Sequence, residues 1–243
     1  MRTLKQLAGW TCLSVMACAP LAQGATILIG DHIYLDSYAI NGVLGNDPHQ
    51  FSPNSLQLVH ESLATSGIET NAVITVVPVE TASGLALMML IDSPLSGELD
   101  DGSASLSMMT TAPETATWYV NDVNQDITGH IDGTTGLQTS YGLFTWNPYG
   151  NGDGFAWANL NAGDQLTTLF TAINGQDPTF PGLNMHDNIQ FVTWANNSWE
   201  VAETTQLNSG GTYAFTTLVL PGPGALCLLG IAGLCGRRRR RTG

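Results

Sequence analysis

Asp122-Val123-Asn124-Gln125-Asp126-Ile127-Thr128 places side-chain oxygens at alternate positions, the spacing with which an acidic loop begins to wrap a calcium ion. Ile127 stands where such a loop needs its turn glycine, and Gly133 where a bidentate glutamate closes it. A strand end running into a polar turn accounts for the segment more simply. Calcium at Asp122, Asn124 and Asp126 is the candidate metal site and calcium the candidate cofactor. Asn151-Gly152-Asp153-Gly154 also carries oxygens, but Asn-Gly and Asp-Gly are ordinary hairpin turns. The five histidines, His32, His49, His60, His130 and His186, form no His-Glu-x-x-His or other close metal pair. His186-Asp187 is adjacent in sequence, which does not make a triad, and no Gly-x-Ser-x-Gly elbow or phosphate loop occurs. Carboxylates are plentiful enough for a glycosidase pair, yet nothing singles out two of them, so no catalytic residue is assigned. Trp118, Trp146, Trp157, Trp194 and Trp199, with Tyr119, Tyr141 and Tyr149, crowd into residues 118–199. Most lie within apolar strand patterns and read as core. Trp146 and Tyr149, flanking the turn Asn147-Pro148, are the candidate platform for stacking on a sugar ring.

Charge decides which partners these residues can have. The chain has 243 residues and a formal charge of −13, with 20 Asp and Glu against 7 Lys and Arg. Every basic residue is terminal: Arg2, Lys5 and Arg237 to Arg241. Residues 25–220 hold all the carboxylates and no lysine or arginine. Such a body has nothing to pair with a polyphosphate backbone, so nucleic acid is excluded as a partner and phosphoryl-transfer chemistry is disfavoured. Neutral glycans and divalent cations fit it better. The cysteines, Cys12, Cys18, Cys227 and Cys235, are terminal too. The body therefore has no disulfide, thiolate metal site or cysteine nucleophile of its own.

Both ends read as addresses. Arg2 and Lys5, the apolar stretch Leu7 to Val15, and the small residues Ala22, Gly24 and Ala25 have the layout of a secretory leader, residues 1–24, cut between Gly24 and Ala25. Val15-Met16-Ala17-Cys18 offers a looser lipoprotein-type alternative. At the other end, Leu218 to Gly236 carries no charge and runs into Arg237, Arg238, Arg239, Arg240 and Arg241. Its strictly apolar part, Gly224 to Gly236, is short for a spanning helix, which needs about 20 residues. The arginines would hold it on the cytoplasmic side. A Pro-Gly break, a short hydrophobic helix and a basic stop suit a chain held in the membrane only until it is cut. A sortase signal would want a threonine that Leu220-Pro221-Gly222-Pro223-Gly224 lacks, and a plain tail anchor is the other alternative.

Pro221-Gly222-Pro223-Gly224-Ala225-Leu226, the Leu228–Leu234 apolar stretch and the Arg run resemble a PEP-CTERM sorting domain, also known as the ice-binding protein C-terminal domain. The resemblance covers about 24 residues, here 220–243, with Gly222 where the family usually has Glu. It implies an exosortase-type processing enzyme, the export machinery as partners, a Gram-negative-type envelope and a destination at the cell surface or extracellular matrix. Membrane contact would be at least transient, through the C-terminal helix.

The body, residues 25–219, must be built mainly of strands. Candidates are 26–29, 32–40, 56–60, 72–79, 85–91, 104–109, 116–123, 141–146, 154–160, 166–173, 189–195, 199–203 and 212–220, punctuated by Gly, Asn, Asp and Pro turns. Leu85 to Ile91 is continuously apolar and reads as a strand buried on both faces; Tyr213, Phe215, Thr217 and Val219 alternate as one face of another. Residues 54–66 are the best helical stretch. The expected fold is all-β, a β-sandwich or jelly-roll-like body, with a boundary near Ala112-Pro113 left open. Two addresses and no catalytic motif point to a non-enzymatic surface or matrix protein. A carbohydrate-binding module or adhesin and a secreted glycan hydrolase are the alternatives.

Overall fold

A computed structural model describes residues 24–40, 42, 44–45, 49–52, 54–70, 73–91, 104–121, 127–133, 135–146, 153–174, 188–207 and 212–222. It is all-β apart from one helix. The chain order is β1 Thr26–Ile29, β2 Ile33–Asp36, β3 Tyr38–Ala39, β4 His49–Gln50, α1 Ser55–Thr65, β5 Ile74–Thr81, β6 Gly84–Ile91, β7 Ala104–Pro113 and β8 Thr117–Val120. Then follow β9 Ile127–Asp132, β10 Leu137–Trp146, β11 Asp153–Leu160, β12 Gln165–Asn174, β13 Asn188–Ala195, β14 Ser198–Gln206 and β15 Tyr213–Leu220.

The strands form two sheets. One has seven strands in the order β2-β1-β15-β12-β7-β10-β9, and the other runs β14-β13-β5-β6-β11-β8-β4 with β3 beside β5. Pairing is antiparallel except where β13 and β3 meet β5 and β4 meets β8. The expected strand 32–40 is two pieces, broken at Ser37, so that β2 belongs to one sheet and β3 to the other. β7 ends at Pro113, and the seven-stranded sheet to which it belongs takes strands from both before and after that point.

Residues of both sheets share one core: Ile27, Leu35, Leu106 and Phe170 from the first meet Val76, Leu87, Trp157 and Phe191 from the second. Trp157 is fully buried and donates its indole N–H to Thr110 Oγ1 at 2.9 Å, which satisfies the one polar atom it brings inside.

Residues 56–60 are helical, not a strand. Leu56, Val59, His60 and Leu63 fall on one face at the i, i+3, i+4, i+7 spacing, and all are buried. Read without its helical partners, Leu56-Gln57-Leu58-Val59 looks like a short apolar strand. The helix stops at Gly67, whose φ of 77° few other residues adopt. Gly67 N–H bonds the carbonyl of Ala64, and Ile68 N–H that of Leu63, a Schellman closure. The buried face of α1 packs on Val77, Val79, Ala86, Met88 and Ala158, forming a second hydrophobic layer. Leu85 to Ile91 is thus buried on both sides, as its continuous apolar run requires.

Candidate functional site

Asp122, Asn124 and Asp126 lie outside the described residues, as do Tyr149, Pro223 and Arg237 to Arg241. Trp146 ends β10, with its side chain outside that description. Among the described residues no group of three or more His, Cys, Asp and Glu side chains could hold a metal ion. Among them also, no helix is long and apolar enough to cross a membrane. Trp118, Tyr119, Trp157 and Trp199 are buried, as their strand patterns required.

One aromatic pair does reach the surface. Tyr38 stacks on Trp194 with ring centroids 3.7 Å apart at 18°, and Tyr38 is 40% exposed. Trp199, buried beneath, meets Trp194 edge-on at 5.3 Å and donates to Ser62 Oγ on α1 at 2.9 Å. Tyr38 and Trp194 are far apart in sequence, and no local pattern marks them as neighbours.

The register of β9 and β10 sets His130 opposite Ser140. His130 Nδ1 lies 2.7 Å from Ser140 Oγ, and Nε2 lies 3.0 Å from Asp132 Oδ1. This is a Ser-His-Asp chain that the sequence did not reveal. Its exposure is inverted relative to a working triad: Ser140 is 0% exposed, whereas the Asp132 side chain is 83% exposed. A nucleophile must reach substrate while its carboxylate stays sheltered. The chain instead ties an edge strand to its neighbour.

The other histidines have separate tasks. His49 holds a φ of 76°, stacks on Trp118 at 4.0 Å, and donates from Nδ1 to the Trp118 carbonyl at 3.1 Å. His60 is fully buried; Nδ1 meets Thr70 Oγ1 at 2.8 Å, and Nε2 has no hydrogen-bond partner among the described residues. Burial pushes its pKa down to about 4, so it is neutral.

His32 sits in the turn between β1 and β2, with Nδ1 2.6 Å from Asp31 and Nε2 3.1 Å from Glu203 of β14. The hydrogen bond to Asp31, helped by Glu203, raises the His32 pKa, and His32 in turn lowers that of Asp31. Beside it opens a largely apolar cleft of about 460 Å³, lined by Ile33, Met109, Leu169 and Phe215 and edged by His32 and Glu203. Such a cleft suits a small uncharged or weakly cationic group. The link from His32 to Glu203 joins positions 171 residues apart, beyond the reach of any sequence motif.

The two predicted address junctions are side by side. β1 and β15 are hydrogen-bonded neighbours, and Thr26 faces Leu220. Gly24 and Ala25 lead into β1; Pro221 and Gly222 leave β15. The Ala25 N–H donates to Glu80 Oε1 at 2.8 Å, and Ser37 N–H donates to the Ala25 carbonyl at 2.9 Å. Comparison of the chain with protein families, with curated proteins and with solved structures returned no match.

Proposed function

We propose that this is an exported, non-enzymatic surface or matrix protein of a Gram-negative-type bacterium, a β-sandwich carried out by its leader and sorted through its PEP-CTERM-like tail. The leader and the apolar Gly224–Gly236 stretch beyond the end of β15 enter the membrane as helices, and an exosortase-type enzyme processes the tail. The observation that carries this reading is the pairing of Thr26 with Leu220. Both address segments attach at one place on one sheet, so each can be cut without breaking a strand. The opposite end of the body is then free to face outward. An acidic body without lysine or arginine also keeps clear of anionic lipid headgroups and polyphosphates.

A second reading, a carbohydrate-binding module or adhesin, rests on the outward Tyr38–Trp194 stack and the largely apolar cleft edged by His32 and Glu203. Calcium at Asp122, Asn124 and Asp126 would support either. It predicts that calcium raises the melting temperature more than sodium at equal ionic strength; equal effects leave only screening.

The sorting proposal is tested by removing residues 221–243 and fractionating the cells. The truncated protein should leave the surface fraction and accumulate as a soluble exported species. An unchanged distribution would refute a sorting role for the tail.

A further inference from the structure

We propose that Glu80 and Ser37 form a seat for the α-ammonium group created at Ala25, so that removal of the leader installs an ion pair between the two sheets. The inference rests on the reading that cleavage falls between Gly24 and Ala25. It adds to it a defined place for the new chain end.

Ala25 enters β1 of the seven-stranded sheet, whereas Glu80 belongs to β5 of the eight-stranded one. The Ala25 nitrogen already lies 2.8 Å from Glu80 Oε1. Ser37, 2% exposed at the crossing from β2 to β3, donates its hydroxyl to the same oxygen at 3.0 Å. Its backbone N–H holds the Ala25 carbonyl at 2.9 Å. Three hydrogen bonds thus fix the nitrogen in front of a half-buried carboxylate before any cleavage occurs.

Hydrolysis changes what that nitrogen is. Water adds across the Gly24–Ala25 peptide bond; its hydroxyl goes to the Gly24 carboxyl group, which departs with the leader. Its hydrogen goes to the Ala25 amine, which takes a further proton from solvent near neutral pH. A single amide donor becomes a cation with three donors, already aimed at an anion. An N⁺–H to carboxylate contact is the stronger bond of the two, and a partly buried one is less screened than a surface pair.

Gly24 shows how close the fit is. A Cβ added there would overlap both the Oγ and the carbonyl oxygen of Ser37. In the uncut chain only a residue without a side chain passes this gap, and cleavage removes the crowding altogether.

Composition makes the pair singular. Residues 25–220 contain no lysine or arginine, so this ammonium is the only full cation besides protonated histidine that the body acquires. The titratable groups around it are Glu80 on β5, Asp36 on β2 and Tyr38 on β3. Asp36 is engaged by Thr26 Oγ1 at 2.5 Å, and the Tyr38 ring by Trp194. Both carboxylates favour the charged amine, whose ordinary pKa is about 7.7–8.0. A seated ammonium would hold its proton to higher pH, so its stabilisation would be present below about pH 8 and lost as pH rises further.

The sequence supplies an unusually clean probe. Lysine occurs only at Lys5, so a chain of residues 25–243 has one primary amine. That chain, starting at Ala25 after traceless removal of a fusion partner, is treated with an acetylating ester at pH 7.5. Acetylation of Ala25, read by intact mass, should be about ten-fold slower in the folded protein than in the same chain in urea, the effect of one pKa unit. Glu80→Gln, which keeps an oxygen for Ser37, should restore most of the rate. A chain starting at Gly24 places its amine one residue off the seat and should react freely while remaining folded at the temperature of the assay. A folded chain whose Ala25 amine reacts at the unfolded rate, unaffected by Glu80→Gln, overturns the seat. A native chain whose first residue is not Ala25 overturns the maturation step instead, so the two failures are separable.

Discussion

The outer face of the eight-stranded sheet lies under α1, and Val77, Val79, Met88 and Leu90 beneath it are 0% exposed. The outer face of the seven-stranded sheet carries Met109, Tyr141 and Leu143 in the open, at 36–42% exposure. Across that bare face the register aligns Thr139, Thr111, Thr167 and Thr216 on four consecutive strands. The two faces are written differently in sequence. β6 is a continuous apolar run from Leu85 to Ile91, and β5 is buried from Ile74 to Val79, because both of their sides are covered. β15 alternates, with Phe215, Thr217 and Val219 inward and Ala214 and Thr216 outward. What covers a sheet therefore shows in its strands, and one eleven-residue helix makes the difference between the two.

The comparison breaks most readily at Leu63, 0% exposed on the covered side. Leu63→Ala should lower the unfolding free energy in urea by about 3 kcal/mol, since it opens a cavity that the helix and sheet cannot both refill. A change below about 1 kcal/mol would mean that α1 is not part of the cooperative fold.

His60 sharpens the same contrast through pH. Its folded pKa, about 4, lies below the ordinary 6.5. The unfolded chain therefore binds the proton first, and stability due to the neutral ring is complete above pH 6.5 and is lost as pH falls towards 4. At 1.36 kcal/mol per unit this amounts to about 3 kcal/mol. Acid also relieves repulsion among the 20 carboxylates, so the comparison is made against His60→Leu at each pH. The wild type should lose stability relative to the variant between pH 6.5 and 4; parallel curves would show that His60 is not held neutral.

Gly67→Ala, at the φ of 77° that ends α1, should cost about 1 kcal/mol. The smallest effect is expected on the bare face. Met109→Thr or Leu143→Thr extends the outward threonine pattern and should stay within about 0.5 kcal/mol of wild type in the same urea titration. A loss comparable to Leu63→Ala would mean that something covers that face after all.

The strands with a covered side were legible. Residues 26–29 match β1, and 85–91 and 189–195 each match a strand to within a residue. β9 was missed because Ile-Thr-Gly-His-Ile-Asp is an edge strand whose residues are all partly or fully exposed, leaving no apolar period to read. β4 is two residues that exist only through pairing with β8. The helix was half legible: its stripe includes His60, a polar residue where the pattern needs an apolar one. The contacts of possible chemical interest were not legible at all. His32 with Glu203, Tyr38 with Trp194, and Ala25 with Glu80 are joined by sheet topology across 55 to 171 residues, which local spacing does not encode.

The central claim is that both ends are addresses removed or processed around an intact body. Intact mass of the protein recovered from the surface fraction tests it most directly. The expected chain begins at Ala25 and has lost Arg237 to Arg241. A surface-located chain that keeps the leader, or keeps the Arg run, would contradict it.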